Sequence, residues 1–151
     1  MSAEALLDIN VLVALFDPDH VHHDLAHDWF ADQGARAWAT CPLTENGFVR
    51  VVSNPAYASP LHRVEELAAR LRRFCRQPGH RFWPDDVSLL DEQLFDLSVL
   101  GSPRHVTDVY LLGLAKKNNG RLVTFDRAIP RKAVRGAGLS TLEVITPAES
   151  D

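Results

Sequence analysis

Short apolar runs alternate along the chain with longer stretches in which apolar residues recur every three or four positions. Runs that are apolar throughout suit strands buried on both faces of a parallel sheet, and the longer period suits helices covering that sheet. The pattern predicts strands at Ala5–Asp8, Ala37–Cys41, Arg81–Trp83, Arg121–Phe125 and Thr141–Ile145. The helices between them carry visible punctuation. A short one over Asn10–Phe16 stops at Asp17-Pro18, and Asp19 is placed to cap a second reaching Asp32, with Val21, Leu25, Trp29 and Phe30 on its apolar side. Pro42 suits the first turn of a third helix, which ends near Asn54-Pro55. A fourth is predicted from Leu61 to Arg76, a fifth from Val87 to Leu100, and a sixth from His105 to Asn118 with Asn119-Gly120 as its stop.

Composition narrows the class. A chain of 151 residues without repeats, low-complexity tracts or a dividing linker suits one domain over residues 1–151. No stretch approaches the roughly 18 consecutive apolar residues of a membrane span. The start has Glu4, no basic segment, and an apolar run broken by Asp8 and Asn10, so it does not read as a signal peptide. Cys41 and Cys75 form no C-x-x-C pair, which argues against a zinc knuckle or disulfide framework and for a reducing, cytoplasmic setting. The net charge of −4 weighs against gripping nucleic acid by bulk electrostatics, an objection that fades if several acids share bound cations.

Four acids stand out. Asp8 follows Ala5-Leu6-Leu7, and Asp126 follows Leu122-Val123-Thr124-Phe125, so each stands at the carboxyl end of a buried strand. Ligand sites of open α/β sheets lie at those ends, where the strand order reverses. Glu45 is followed by Phe48, Val49 and Val52, and Asp108 by Leu111, Leu112 and Ala115, so each begins the core-facing stripe of its helix. Taken singly, each acid could cap a helix or answer its dipole. Together they suggest one pocket, where mutual repulsion calls for a cation. All-oxygen ligation favours Mg²⁺ or Mn²⁺, ions that activate water and stabilise the oxygens of a phosphodiester under attack. Asn10 and Thr124, two residues from Asp8 and Asp126 respectively, could hydrogen-bond the carboxylates or a metal-bound water.

These residues resemble the PIN-domain ribonucleases, in particular the VapC-type toxins of bacterial toxin–antitoxin pairs. The resemblance rests on Leu7-Asp8-Ile9-Asn10-Val11-Leu12, Thr44-Glu45-Asn46-Gly47-Phe48-Val49-Arg50, Val106-Thr107-Asp108-Val109-Tyr110-Leu111 and Leu122-Val123-Thr124-Phe125-Asp126-Arg127. It implies a three-layer α/β/α sandwich with a five-stranded parallel sheet ordered 3-2-1-4-5. It also implies Mg²⁺-dependent cleavage of RNA by the four acids, a homodimer, and a cognate antitoxin that blocks the site. A PIN-like domain that processes or binds RNA or protein without being a toxin is the alternative. A Mg²⁺-dependent phosphatase would want a second Asp where Asn10 stands, and a phosphoacceptor receiver domain would want an acidic pair after the first strand.

Other features have ordinary readings beside functional ones. His23 and His27 are one helical turn apart but lack further local ligands for zinc, and fit helix-start or surface histidines. The run Arg70–Arg76 is either a solvated helix face or a groove wall meeting RNA phosphates or an acidic antitoxin segment. Arg131, Lys132 and Arg135, following the fourth acid, are candidates for phosphate contacts. Trp29, Phe30, Trp38 and Phe48 fall on apolar stripes or in strands, as core residues do.

Overall fold

In the computed structural model, which describes residues 3–57 and 63–147, five strands pair in parallel in the order β3-β2-β1-β4-β5. They are β1 (Ala5–Leu7), β2 (Trp38–Thr40), β3 (His80–Phe82), β4 (Arg121–Thr124) and β5 (Leu142–Val144). Successive strand residues point to opposite faces. Ala5, Leu7, Trp38 and Val123 therefore enter one core, while Leu6, Ala39 and Leu122 enter another behind the sheet. The first core is covered by α1 (Ile9–Phe16), α2 (His23–Asp32), α3 (Pro42–Val52) and α4 (Val64–Phe74), and the second by α5 (Val106–Lys117). This is the α/β/α sandwich and strand order that the resemblance implies. Every residue of β1 is buried, which is why that strand reads as an unbroken apolar run. Among the described residues, no helix is long and apolar enough to cross a membrane.

Two helix predictions need correction. The second helix starts at His23, not at Asp19. The Asp17 carboxylate accepts the backbone N–H of Asp19, the N–H of His20 goes to the Asp17 carbonyl, and the chain turns before the helix begins. Val21, expected on the apolar side, is consequently 87% exposed. The predicted helix over Val87–Leu100 does not form; its only helical part is a 3₁₀ turn at Leu97–Val99. Ser88, Asp91 and Asp96 each take a backbone N–H two residues ahead with their own side chains, a local alternative that competes with the helical ladder. The segment also bonds elsewhere: the Asp96 N–H donates to the Ala133 carbonyl and the Arg135 N–H to the Leu94 carbonyl. Phe95 anchors the segment against Gly113 of α5, where any side chain would collide with its ring. The fourth helix begins at Val64; Leu61, its predicted start, lies outside the described residues.

Candidate active site

The carboxyl ends of β1 and β4 are neighbours because Leu7 pairs with Val123. Asp8 leaves β1 in extended conformation and caps α1, accepting the Ile9 N–H at Oδ1 (2.7 Å). Its Oδ2 accepts the hydroxyl proton of Thr124, the last residue of β4, at 2.8 Å. Thr124 Oγ1 in turn accepts from Asn10 Nδ2 (3.2 Å) and from the backbone N–H of Asp126 (3.1 Å). Asn10 Oδ1 accepts the Phe125 N–H at 3.4 Å. One buried hydroxyl therefore ties the two strand-end acids together, and Asn10 locks α1 onto the turn after β4.

Asp108 stands in the first turn of α5, and its Oδ2 lies 3.2 Å from Nδ1 of His105, the residue preceding the helix. The same nitrogen is 3.7 Å from Asp126 Oδ2. Asp126 divides its oxygens: Oδ1 accepts the Ala128 N–H at 2.8 Å, while Oδ2 turns to His105. One ligand atom from each of His105, Asp108 and Asp126 falls within 4.8 Å of the other two. Asp8 is 4% exposed. Burial above all, then the charges of Asp108 and Asp126, raises its carboxyl from 3.8 to about 6, against the pull of Thr124 and the Ile9 N–H.

Glu45 is placed differently. It sits in the first turn of α3, directly after β2, and its Oε2 accepts the Thr40 hydroxyl at 2.8 Å. That hydroxyl has one proton, so the Nε2 of His80, also 2.8 Å away, must donate to it. α3 approaches α1 closely because Gly47 has no side chain; a Cβ there would collide with Ile9, the neighbour of Asp8. Glu45 thus lies at the carboxyl end of the strand next to β1. Among the described residues, no hydrogen bond or ion pair joins it to Asp8, Asp108 or Asp126, and it is not among the charges that shift Asp8.

The basic candidates separate. Arg72 and Arg76 line a groove with Glu45, Val49 and Leu71. Arg131 and Lys132 form a 3₁₀ turn, and Arg135 Nε donates to the Glu92 carbonyl at 2.9 Å. His23 and His27 donate to the Ala14 and Leu15 carbonyls and so satisfy the end of α1. His22 stacks on Phe125, beside Asp126, with ring centroids 4.5 Å apart. Sequence reasoning missed His105. Its spacing of three from Asp108 was a usable signal; its approach to Asp126 was not, because that depends on packing.

Comparison with known proteins gives a consistent picture. The family description "PIN domain" matches residues 5–135. Ribonuclease VapC44 of Mycobacterium tuberculosis is 50% identical over 136 residues, covering 88% of this chain and 93% of that protein. Ribonuclease VapC39 of the same organism is 43% identical over 132 residues, covering 87% and 95%. The crystal structure of M. tuberculosis VapC20, described as a sarcin–ricin-loop-cleaving toxin, superposes with a TM-score of 0.60 at 13% identity, covering 83% of this chain and 92% of that one. At that identity the last likeness concerns the fold alone.

Proposed function

The chain belongs to the PIN-domain family as a VapC-type ribonuclease, and on that premise we propose that it is a Mg²⁺-dependent endoribonuclease, the toxin of a toxin–antitoxin pair. The proposal includes Mn²⁺ as a substitute ion, a homodimeric cytoplasmic protein, and inhibition by a cognate antitoxin. The observation that supports it most is the meeting of Asp8, Asp108 and Asp126 at the ends of β1 and β4. Three carboxylates so close, one of them buried enough to be pushed up to about 6, suit a divalent cation better than they suit one another. When bound, such a cation supplies an acidified water and neutralises charge gathering on the phosphodiester oxygens.

In this reading Asp8, Asp108 and Asp126 hold the ion. Thr124 and Asn10 keep the two strand-end acids in register by the hydrogen bonds described. Glu45, oriented by Thr40 through Oε2, keeps its second oxygen for the ion or for a proton from the attacking water. Arg72 and Arg76, on the groove that also holds Glu45, suit the phosphates of an RNA strand or an acidic antitoxin segment. Arg131 and Lys132 remain candidates for RNA beyond the scissile bond.

The test is cleavage of structured cellular RNA by antitoxin-free protein, with Mg²⁺ or Mn²⁺ and with chelator, followed by mapping of the new ends. Wild type is expected to cut only with an ion, and Asp108→Asn to leave RNA intact while keeping its circular dichroism spectrum. Equal cleavage by folded Asp108→Asn, or none by wild type with either ion, ends the proposal. Growth arrest on expression of wild type but not Asp8→Asn supports the toxin role.

A further inference from the structure

We infer that His105 is a nitrogen ligand of the proposed metal centre, completing a donor set with Asp8, Asp108 and Asp126 that binds Mn²⁺ in preference to Mg²⁺. The inference rests on the metal-nuclease reading and goes beyond it, because four acids alone offer only oxygen.

Three observations carry it. First, Nδ1 of His105 stands 3.2 Å from Asp108 Oδ2 and 3.7 Å from Asp126 Oδ2, and all three donor atoms fall within 4.8 Å of one another. Donor atoms around one six-coordinate ion stand about 3–4 Å apart, so little movement is needed. Second, the ring is not simply a helix-start group. A contact with Asp108, three residues on, is what any helix beginning allows. Asp126 follows a different element, and the His105 side chain is only 14% exposed, so the ring turns into the convergence of α5 and β4. Third, the fourth acid expected from the sequence stands apart from the other three. Thr40 holds one oxygen of Glu45, and the charges acting on Asp8 come from Asp108 and Asp126, not from Glu45. His105 stands where a fourth donor can join those three.

The chemical consequence follows from donor type. Mg²⁺ prefers oxygen and gives up its waters reluctantly, whereas Mn²⁺, a first-row transition ion, takes a nitrogen ligand beside carboxylates more readily than Mg²⁺ does. One nitrogen therefore raises affinity for Mn²⁺ more than for Mg²⁺, while abundance still decides which ion fills the site in a cell.

The probes are the ions themselves, added to the full-length, chelator-treated protein in titration calorimetry. Wild type is expected to bind Mn²⁺ roughly tenfold or more tightly than Mg²⁺, and His105→Gln to keep its Mg²⁺ affinity while that margin narrows severalfold. Pulsed electron paramagnetic resonance of Mn²⁺-loaded wild type is expected to show nitrogen hyperfine modulation, absent from His105→Gln. This spectrum needs no variant, so it decides the matter even if the substitution unfolds the chain. Bound Mn²⁺ without nitrogen modulation, or an unchanged margin in folded His105→Gln, overturns the assignment and leaves the carboxylate centre standing. Failure of wild type to bind either ion overturns both.

Discussion

Replacing Asp8 by Asn should stabilise the metal-free protein, in a way that depends on pH. The Asp8 carboxyl is held at about 6 in the folded chain against an ordinary 3.8. A proton therefore binds the folded state more tightly than the unfolded one. Its support of the fold is complete below about pH 4 and is lost as the pH climbs through about 6. With Asp8 ionised, the difference amounts to roughly 3 kcal/mol against the fold. Asn removes the charge but loses a hydrogen bond. Both carboxyl oxygens keep acceptor capacity for Ile9 and Thr124 whether or not the group carries a proton, whereas an amide has one acceptor oxygen and can serve only one of them, a loss of about 1 kcal/mol. Asp8→Asn should thus be more stable than wild type by about 2 kcal/mol near pH 8 and less stable by about 1 kcal/mol near pH 3, below the ordinary 3.8. For a chain of this size the former is a rise of roughly 4–8 °C in Tm. Thermal and urea denaturation in chelator, followed by circular dichroism, reads both values. Subtracting one protein from the other removes the titration of the 7 histidines, which they share. A variant less stable than wild type near pH 8, or a difference indifferent to pH, would refute the assignment of a buried, mutually repelled carboxylate.

Other expectations are simpler. Thr124→Val deprives Asp8, Asn10 and the Asp126 N–H of their shared partner; it should cost about 1–3 kcal/mol and weaken ion binding in calorimetry, with Thr124→Ser restoring both. Tyr57→Phe removes the hydroxyl donated to Asp17, whose residue is 5% exposed; denaturation should show a loss of about 1.5–3 kcal/mol at neutral pH with RNA cleavage retained. Gly113→Ala forces a methyl group into the Phe95 ring and should lower stability by about 1–3 kcal/mol. Gly101→Ala, which meets nothing within 4 Å, should change stability by no more than about 0.5 kcal/mol.

Much of this was legible in the residues themselves. A strand buried on both faces must be apolar throughout, which is why β1, β2 and β4 stand out in the residues; β3 and β5, at the edges of the sheet and less buried, were found within a residue or two by their place between helices. Acids directly after such runs, as with Asp8 and Asp126, can only emerge at the carboxyl edge of the sheet. The strand order was legible through the family resemblance rather than through periodicity, which records burial and not neighbours. Where the account failed, the deciding partner was distant in sequence or a competing local bond. Val87, Leu94 and Phe95 carry helix-like spacing, yet the backbone of their segment bonds to Ala133 and Arg135 while Ser88, Asp91 and Asp96 capture the intervening N–H groups. Only packing decided that His105 would reach Asp126, that Glu45 would rest on Thr40, and that one threonine hydroxyl would join β1's acid to β4's. Periodic burial is a property of each segment alone; which polar atoms meet depends on how the segments are stacked, and that is settled only in three dimensions.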